Sequence, residues 1–290
     1  MNSKVAIITG SSQGIGKATA EQLLRAGYQV VINSRSPAKL AKTQKQLSRL
    51  GPVFAFAADV SSFEDCQRLV AATIQRFGRL DVLINNAGLS MQGELQGMNP
   101  EVFQKVVGVN LIGSANMANA ALPAIRRSEG QIVFVSSLAG LLGLPGYSAY
   151  SASKMAITAL AQSLRGELQG QGVHIGVAYL GFTENDPAKQ IYDAGGKKIP
   201  QPDRSFVRTF PVQKTARALL VMVQNRTSKT FIGPPGRLSA WLAWMFPNLS
   251  QWLVRRKYQQ HILQQPQADC VDRPNMMGDR AAGNSAAAPT

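Results

Sequence analysis

The sequence predicts an α/β fold in which a parallel sheet of seven strands is covered by helices on both faces. Short, nearly continuous apolar runs recur along the first two hundred residues, as strands buried on both faces require. Helix-patterned segments separate these runs, so successive strands run parallel through crossover helices. Thr9-Gly10, Asn85-Asn86, Ser136-Ser137 and Leu180-Gly181 close four of the runs. In sheets of this kind ligands bind beyond the carboxyl ends of the strands.

In chain order the predicted strands are Val5–Thr9, Val30–Asn33, Val53–Ala57, Val82–Asn85, Ile132–Ser136, Val173–Tyr179 and, after a gap, Thr230–Ile232. The predicted helices cover 14–26, 37–49, 62–77, 101–125 and 151–169. Beyond residue 185 the pattern loosens. Residues 184–211 are polar and rich in Gly, Pro and Lys, which suits a mobile loop beside a site. Residues 1–235 are expected to form one domain, followed by an amphipathic C-terminal extension at 236–265. The tail at 266–290 is rich in Ala, Gly, Asn and Pro and is expected to be disordered.

Composition narrows the chemistry. The chain is 45% hydrophobic and 16% charged, a balance that reads as soluble and globular. Residues 4–9 already read as strand, which leaves no room for a signal segment, and no apolar run approaches the ~20 residues that span a bilayer. Cys66 and Cys270 are far apart and match no metal-ligand spacing, so a reducing cytoplasm is expected. The only histidines are His174, in the apolar run Val173–Val177, and His261. A zinc site or a Ser–His–Asp hydrolase is therefore hard to assemble. The net charge is +15, and residues 185–260 hold thirteen Lys/Arg against three acids, which places +10 in that quarter of the chain.

The spacing most suggestive of catalysis is Tyr150-Ser151-Ala152-Ser153-Lys154, with Ser137 thirteen residues upstream. Residues i and i+4 share a helix face, so Tyr150 and Lys154 project to one side. A free phenol, with a pKa of about 10, exchanges protons poorly at neutral pH, and a nearby ammonium pulls that value down. A serine hydroxyl could then hold the reacting oxygen. On spacing alone, the same pair also describes an ordinary solvated helix face.

Thr9-Gly10-Ser11-Ser12-Gln13-Gly14-Ile15-Gly16 follows the first strand and opens a helix. Glycines there let the backbone approach a pyrophosphate, and the helix N-terminus offers unpaired N–H groups, so a dinucleotide is the expected ligand. Together with Asp59-Val60, Asn85-Asn86-Ala87-Gly88, Asn110, Ser137, Tyr150 and Lys154, this motif makes the chain resemble the classical short-chain dehydrogenase/reductase family over roughly residues 3–235. The resemblance implies a Rossmann-type doubly wound fold, a nicotinamide cofactor and a catalytic set of Asn110, Ser137, Tyr150 and Lys154. It gives Tyr150 the acid/base role. Lys154 would lower the pKa of Tyr150 and hold the nicotinamide ribose, Ser137 would orient the substrate oxygen, and Asn110 would position a water. The cofactor contacts it implies are Gly10, Ser12, Gln13, Gly14, Ile15, Gly16, Ser34, Arg35, Asp59, Val60, Asn86, Ala87, Gly88, Tyr150, Lys154 and Thr183.

The second strand ends at Ser34-Arg35, without the carboxylate that commonly binds the ribose 2′-OH of NAD. A guanidinium can bind a 2′-phosphate in a fork, so NADP(H) is expected in preference to NAD(H). One departure from the family pattern follows the sixth strand, in Leu180-Gly181-Phe182-Thr183-Glu184-Asn185. Leucine replaces the usual proline and Asn185 the usual threonine, so either Thr183 or Asn185 is expected at the nicotinamide carboxamide.

The expected reaction interconverts a secondary alcohol and a ketone, as a reductase of a hydrophobic or lipid-like carbonyl substrate. A non-catalytic dinucleotide-binding regulator or scaffold is the alternative. Residues 238–254 carry all three tryptophans and end in Arg255-Arg256-Lys257. This segment either packs over the cleft or a neighbouring subunit, or binds an anionic membrane surface through 238–257. An acidic soluble substrate, such as a thioester carrier, would account for the charge equally well. The resemblance also implies a homo-dimer or tetramer through helices 101–125 and 151–169. Nucleic-acid binding is not expected, because the basic residues have no interleaved aromatic platform.

Overall fold

The computed structural model describes residues 3–184, 189–202, 208–233 and 245–262. Its strands are β1 (Val5–Ile8), β2 (Gln29–Ser34), β3 (Val53–Ala57), β4 (Val82–Asn85), β5 (Met91–Gln92), β6 (Gln131–Ser137), β7 (His174–Leu180), β8 (Gln190–Asp193), β9 (Lys198–Pro200) and β10 (Lys229–Ile232). Seven of them form one sheet in the order β10-β7-β6-β4-β1-β2-β3, and every pairing in it is parallel. The chain enters at β1, runs outward through β2 and β3, then returns to lay β4 on the other side of β1. The loops after β1 and β4 therefore meet at the point where the strand order reverses, which is where such sheets hold ligands.

The helices are α1 (Gly14–Arg25), α2 (Pro37–Leu47), α3 (Phe63–Phe77), α4 (Pro100–Val107), α5 (Gly113–Arg127), α6 (Ser148–Glu167), α7 (Val212–Gln224) and α8 (Pro247–Ile262). Alternation along the strands divides the core into two layers. Ala6 and Ile8 of β1 and Val133 and Val135 of β6 pack with Leu23, Leu40 and Leu219 of α1, α2 and α7. Ile7 and the β6 residues Ile132 and Phe134 pack on the opposite face with Leu69, Met117 and Ile157 of α3, α5 and α6. Each fully buried Leu or Ile contributes about 1.5–3 kcal/mol, so both faces must be covered for the sheet to persist. This is the predicted seven-stranded, doubly wound arrangement.

Three features differ from the sequence expectation. The segment 101–125 is not one helix: a π turn at Gly108–Ile112 separates α4 from α5. The polar segment 184–211 contains the strands β8 and β9, which with β5 form a second sheet in the order β5-β8-β9. The tyrosine amide of Tyr192 donates to the Ser90 carbonyl at 3.0 Å and Asn99 to Ala194 at 2.8 Å, so this hairpin is stitched onto the loop that follows β4. Helix α7 was not anticipated, although Thr215, Ala216, Leu219, Met222 and Val223 recur at helical spacing and are buried. The tail at 266–290 lies outside the described residues.

Leu180, the departure from the family pattern, is paired in the sheet with Ser137 on one side and Ile232 on the other. Its side chain is buried in the layer formed with α1 and α7. A proline there could not donate to the ladder, whereas leucine carries β7 through to its end.

Candidate active site

The glycine-rich loop leaves the carboxyl end of β1 and enters α1. Gly10 and Gly14 have φ of +63° and +56°, in the left-handed region that glycine adopts without strain. A Cβ on Gly16 would lie 2.5 Å from Asn86 Nδ2 and 2.6 Å from the Gly10 carbonyl oxygen, so no larger residue fits without movement. Gln13, the residue before α1, makes no side-chain hydrogen bond to the helix. The first-turn amides thus lack a side-chain cap, as an anion-binding helix start requires.

Asn86 and Thr9 hold this loop against the one after β4. The Asn86 amide nitrogen donates to the carbonyls of Thr9 at 2.9 Å and Gly10 at 3.1 Å. Thr9 Oγ1 accepts from the backbone N–H groups of Asn86 and Ala87, at 3.0 and 2.9 Å. Ser11 joins β1 to β2: its hydroxyl donates to the Ile8 carbonyl and accepts from the Asn33 N–H. Thr43 of α2 donates to the Ser12 carbonyl and Lys39 to the Gln13 side chain. Thr9 and Ser11 belong to the glycine-loop motif, but their bracing partners lie 22 to 78 residues away, and Thr43, 31 residues from Ser12, has no local sequence signal.

Around the ribose end, Ser34 is half-buried and its hydroxyl accepts from the Ser36 N–H at 3.2 Å. Arg35 is exposed, with its guanidinium 3.7 Å from the Asp59 carboxylate. Asp59 also accepts from the N–H and hydroxyl of Ser61. Val60 is buried among the residues packed under α3 and α5, and its carbonyl accepts from Asn116. Ile15 is half-buried against the α1 side of the core. These residues fit a dinucleotide: a cradle closed to side chains, a helix start without a side-chain cap, and a cation beyond β2.

Tyr150 and Lys154 do not lie on a solvated face. Helix α6 buries Lys154, Ile157, Ala161 and Leu164, one stripe at helical spacing that packs on the sheet. Tyr150 continues the same stripe one turn earlier, where the helix passes the end of β6. Tyr150 is half-buried and packs against the small apolar cluster that contains Met91, Met98, Val102, Val106, Ala149 and Tyr192. The Lys154 ammonium lies 5.9 Å from the centre of that ring and donates to the Val135 carbonyl at 2.8 Å. Ser137 ends β6 and its hydroxyl accepts from the Ala139 N–H, which opens a short 3₁₀ turn. Gly140 in that turn seats it against α6, since a Cβ there would be 2.5 Å from Ser136 Oγ and 2.7 Å from the Lys154 carbonyl oxygen.

Asn110 sits in the π turn and is fully buried. Its side-chain oxygen accepts from the Leu89 N–H at 2.7 Å, and its amide donates to the Leu89 carbonyl and the Ser153 hydroxyl. Ser153 in turn donates to the Tyr150 carbonyl at 2.7 Å. A Cβ on Gly88 would come 3.3 Å from Asn110 Oδ1 and 3.6 Å from Lys154 Nζ. Gly88, Asn110, and the pair Lys154 and Tyr150 are thus brought together by three separate elements, the loop after β4, the π turn and α6. Thr183 is buried and bridges to Phe210, while Asn185 lies outside the described residues.

Burial pushes the Lys154 ammonium down to about 7, and the charge of Lys189 adds to the push. Among the described residues no carboxylate pairs with Lys154. In the chain alone burial disfavours the charged form of this lysine, and an anionic ligand beside it would favour that form. His174 begins β7, at the opposite end of the sheet from Ser137 and Tyr150. It therefore stands outside this constellation.

A family model described as short chain dehydrogenase matches residues 4–195. The 11-beta-hydroxysteroid dehydrogenase A of Sesamum indicum is 32% identical over 265 residues, which cover 88% of this chain and 75% of that protein. The 3-ketodihydrosphingosine reductase of Bos taurus is 32% identical over 198 residues, 64% of this chain and 60% of that protein. Among solved structures, an alcohol dehydrogenase from the archaeon Thermococcus sibiricus, complexed with 5-hydroxy-NADP, superposes with a TM-score of 0.68 at 27% identity. That match covers 78% of this chain and 93% of the other.

Proposed function

Because the chain belongs to the short-chain dehydrogenase family, an oxidoreductase family acting on alcohol and carbonyl groups, we propose that it is an NADP(H)-dependent reductase of a hydrophobic, lipid-like ketone. The observation that carries the reading is the continuation of the buried α6 stripe into Lys154 and Tyr150, beside Ser137 at the end of β6.

Gly10, Gly14, Gly16 and the first turn of α1 would hold the pyrophosphate, and Lys154 the nicotinamide ribose. The chemistry the bound nicotinamide supplies is hydride donation to the carbonyl carbon. Ser137 orients the substrate oxygen through its hydroxyl. Tyr150 donates the phenolic proton to that oxygen as it becomes an alkoxide, and Lys154, once recharged by the anionic ligand, stabilises the phenolate left behind. Asn110 braces the loop after β4 and, through Ser153, the first turn of α6. Its assignment to a relay water remains part of this proposal.

Arg35, exposed beyond β2, supports NADP(H), and the Thermococcus relative carries an NADP derivative. The names of the two enzyme relatives, a steroid dehydrogenase and a ketosphingoid reductase, support an apolar substrate body. Assembly as a dimer or tetramer belongs to the same reading, supported by Ile112 and Met155, which are exposed on the segment leading into α5 and on α6. So does a cytoplasmic setting, supported by the two widely spaced cysteines.

The test is NADPH oxidation against steroid, quinone, long-chain ketone and 3-ketoacyl thioester panels. Tyr150→Phe is expected to lower kcat by about 10²–10⁴-fold while cofactor binding is kept. Full activity in that variant refutes the mechanism. Arg35→Ser is expected to reduce kcat/KM with NADPH by about tenfold or more and to leave NADH nearly unchanged. A wild-type preference for NADH refutes the cofactor assignment.

A further inference from the structure

Helix α8 leaves a stripe of large apolar side chains exposed. Its covered side carries Ser250, which is buried, and Val254, which is half-buried. Leu249, Trp252 and Leu253 are 49%, 51% and 49% exposed, and Met245 and Phe246 just before the helix are also exposed. Residues 249, 252, 253 and 256 share one face at helical spacing. An ordinary surface helix buries such a stripe.

Cations lie on this face and at its flank. The Arg256 guanidinium lies over the Trp252 ring, 5.3 Å from its centre, and Arg255 is exposed next to it. The surrounding sequence extends the pattern. Residues 204–268 contain ten Lys/Arg and no Asp or Glu. No helix among the described residues is long and apolar enough to cross a membrane, and α8 is 16 residues long.

We propose that α8 docks the protein in the interface of an anionic lipid membrane. Leu249, Trp252 and Leu253 enter the boundary between headgroups and acyl chains, and Arg255 and Arg256 pair with lipid phosphates. The combination favours a lipid surface over an acidic protein partner for two reasons. A tryptophan with a stacked guanidinium matches the layering of acyl chain and headgroup. A long acid-free segment suits an extended anionic plane, whereas a protein partner offers a bounded patch. The inference does not depend on the proposed reaction, because lipid binding is measured without turnover.

The experiment is co-sedimentation of the full chain with phosphatidylcholine vesicles, with and without phosphatidylglycerol. The full chain is expected to bind the mixed vesicles at least about tenfold more tightly than the neutral ones, with the difference shrinking as salt is raised. The triple change Leu249→Ser, Trp252→Ser, Leu253→Ser, and separately Arg255→Glu with Arg256→Glu, are each expected to weaken that binding about tenfold or more. Circular dichroism and a cooperative thermal transition report that each variant is folded. The second variant alters only exposed charges and keeps the test available if the first fails to fold. No binding by the full chain, equal binding to both vesicle types, or undiminished binding by either folded variant overturns the proposal. So does a triple variant that dissociates an oligomer in sedimentation equilibrium yet still binds vesicles, which would make the face a contact between copies.

Discussion

Replacing Lys154 by methionine should abolish turnover and, at neutral pH, stabilise the fold. Burial moves this ammonium from an ordinary 10.5 to about 7. Each pH unit of that gap corresponds to about 1.4 kcal/mol, so the folded state carries a cost of about 5 kcal/mol where both states are protonated, and about 4 kcal/mol at pH 7. Methionine removes the cost but also the hydrogen bond to the Val135 carbonyl, worth about 1 kcal/mol. The net expectation at pH 7 is a gain of about 3 kcal/mol, or about 6–10 °C in Tm for a chain of this size.

The sign changes with pH in a defined way. The folded pKa is depressed, so between about 7 and 10.5 the unfolded chain binds more protons and the wild type gains stability as pH rises. The advantage of Lys154→Met should therefore be largest at or below pH 7 and fade toward pH 10.5. Other titrating groups are common to both chains and cancel in the difference. Urea unfolding followed by circular dichroism at pH 7 and pH 10 provides the measurement. A variant less stable than wild type at pH 7, or a difference constant across that range, would refute the argument that this lysine is held against its own desolvation.

Gly16→Ala should weaken dinucleotide binding by about tenfold or more. The new methyl would press on the Gly10 carbonyl, which cannot move without shifting the loop; isothermal titration with NADP⁺ measures the loss, and unchanged affinity would count against the cradle. In a Cys270→Ser background, Cys66 should resist iodoacetamide at pH 8 until the chain unfolds. Burial pushes its thiol up to about 12, leaving roughly one thiolate in ten thousand; labelling of the native chain at the rate of a free thiol would contradict this.

Much of the fold was readable because strands buried on both faces carry their own signature. The seven long strands lie within two residues of their predicted ends, and the loop Thr9–Gly16 falls where strand gives way to helix. The π turn was not readable. Its cause is the Asn110 side chain turning inward to Leu89 and Ser153, and nothing in the local pattern of 101–125 records those partners. The hairpin β8–β9 was hidden for a similar reason. Polar, glycine-rich sequence suggests a loop, while the pairing that orders it is made with Met91 and Gln92, about a hundred residues earlier. The α7 residues Thr215, Ala216, Leu219, Met222 and Val223 do recur at helical spacing in the sequence.

By itself the sequence determined which chemical groups the chain carries and in what order: a glycine loop after a strand, an arginine in place of an acid after the next, and a serine, a tyrosine and a lysine near the fifth predicted helix. These follow from residue type and short-range spacing, which the chain fixes covalently. Only the tertiary structure decided that Lys154 is buried with no carboxylate partner among the described residues, that Asn86 and Thr9 lock two loops together, and that α8 turns Trp252 outward. Partnership is set by residues 19 to 78 positions away, through packing that no local window contains.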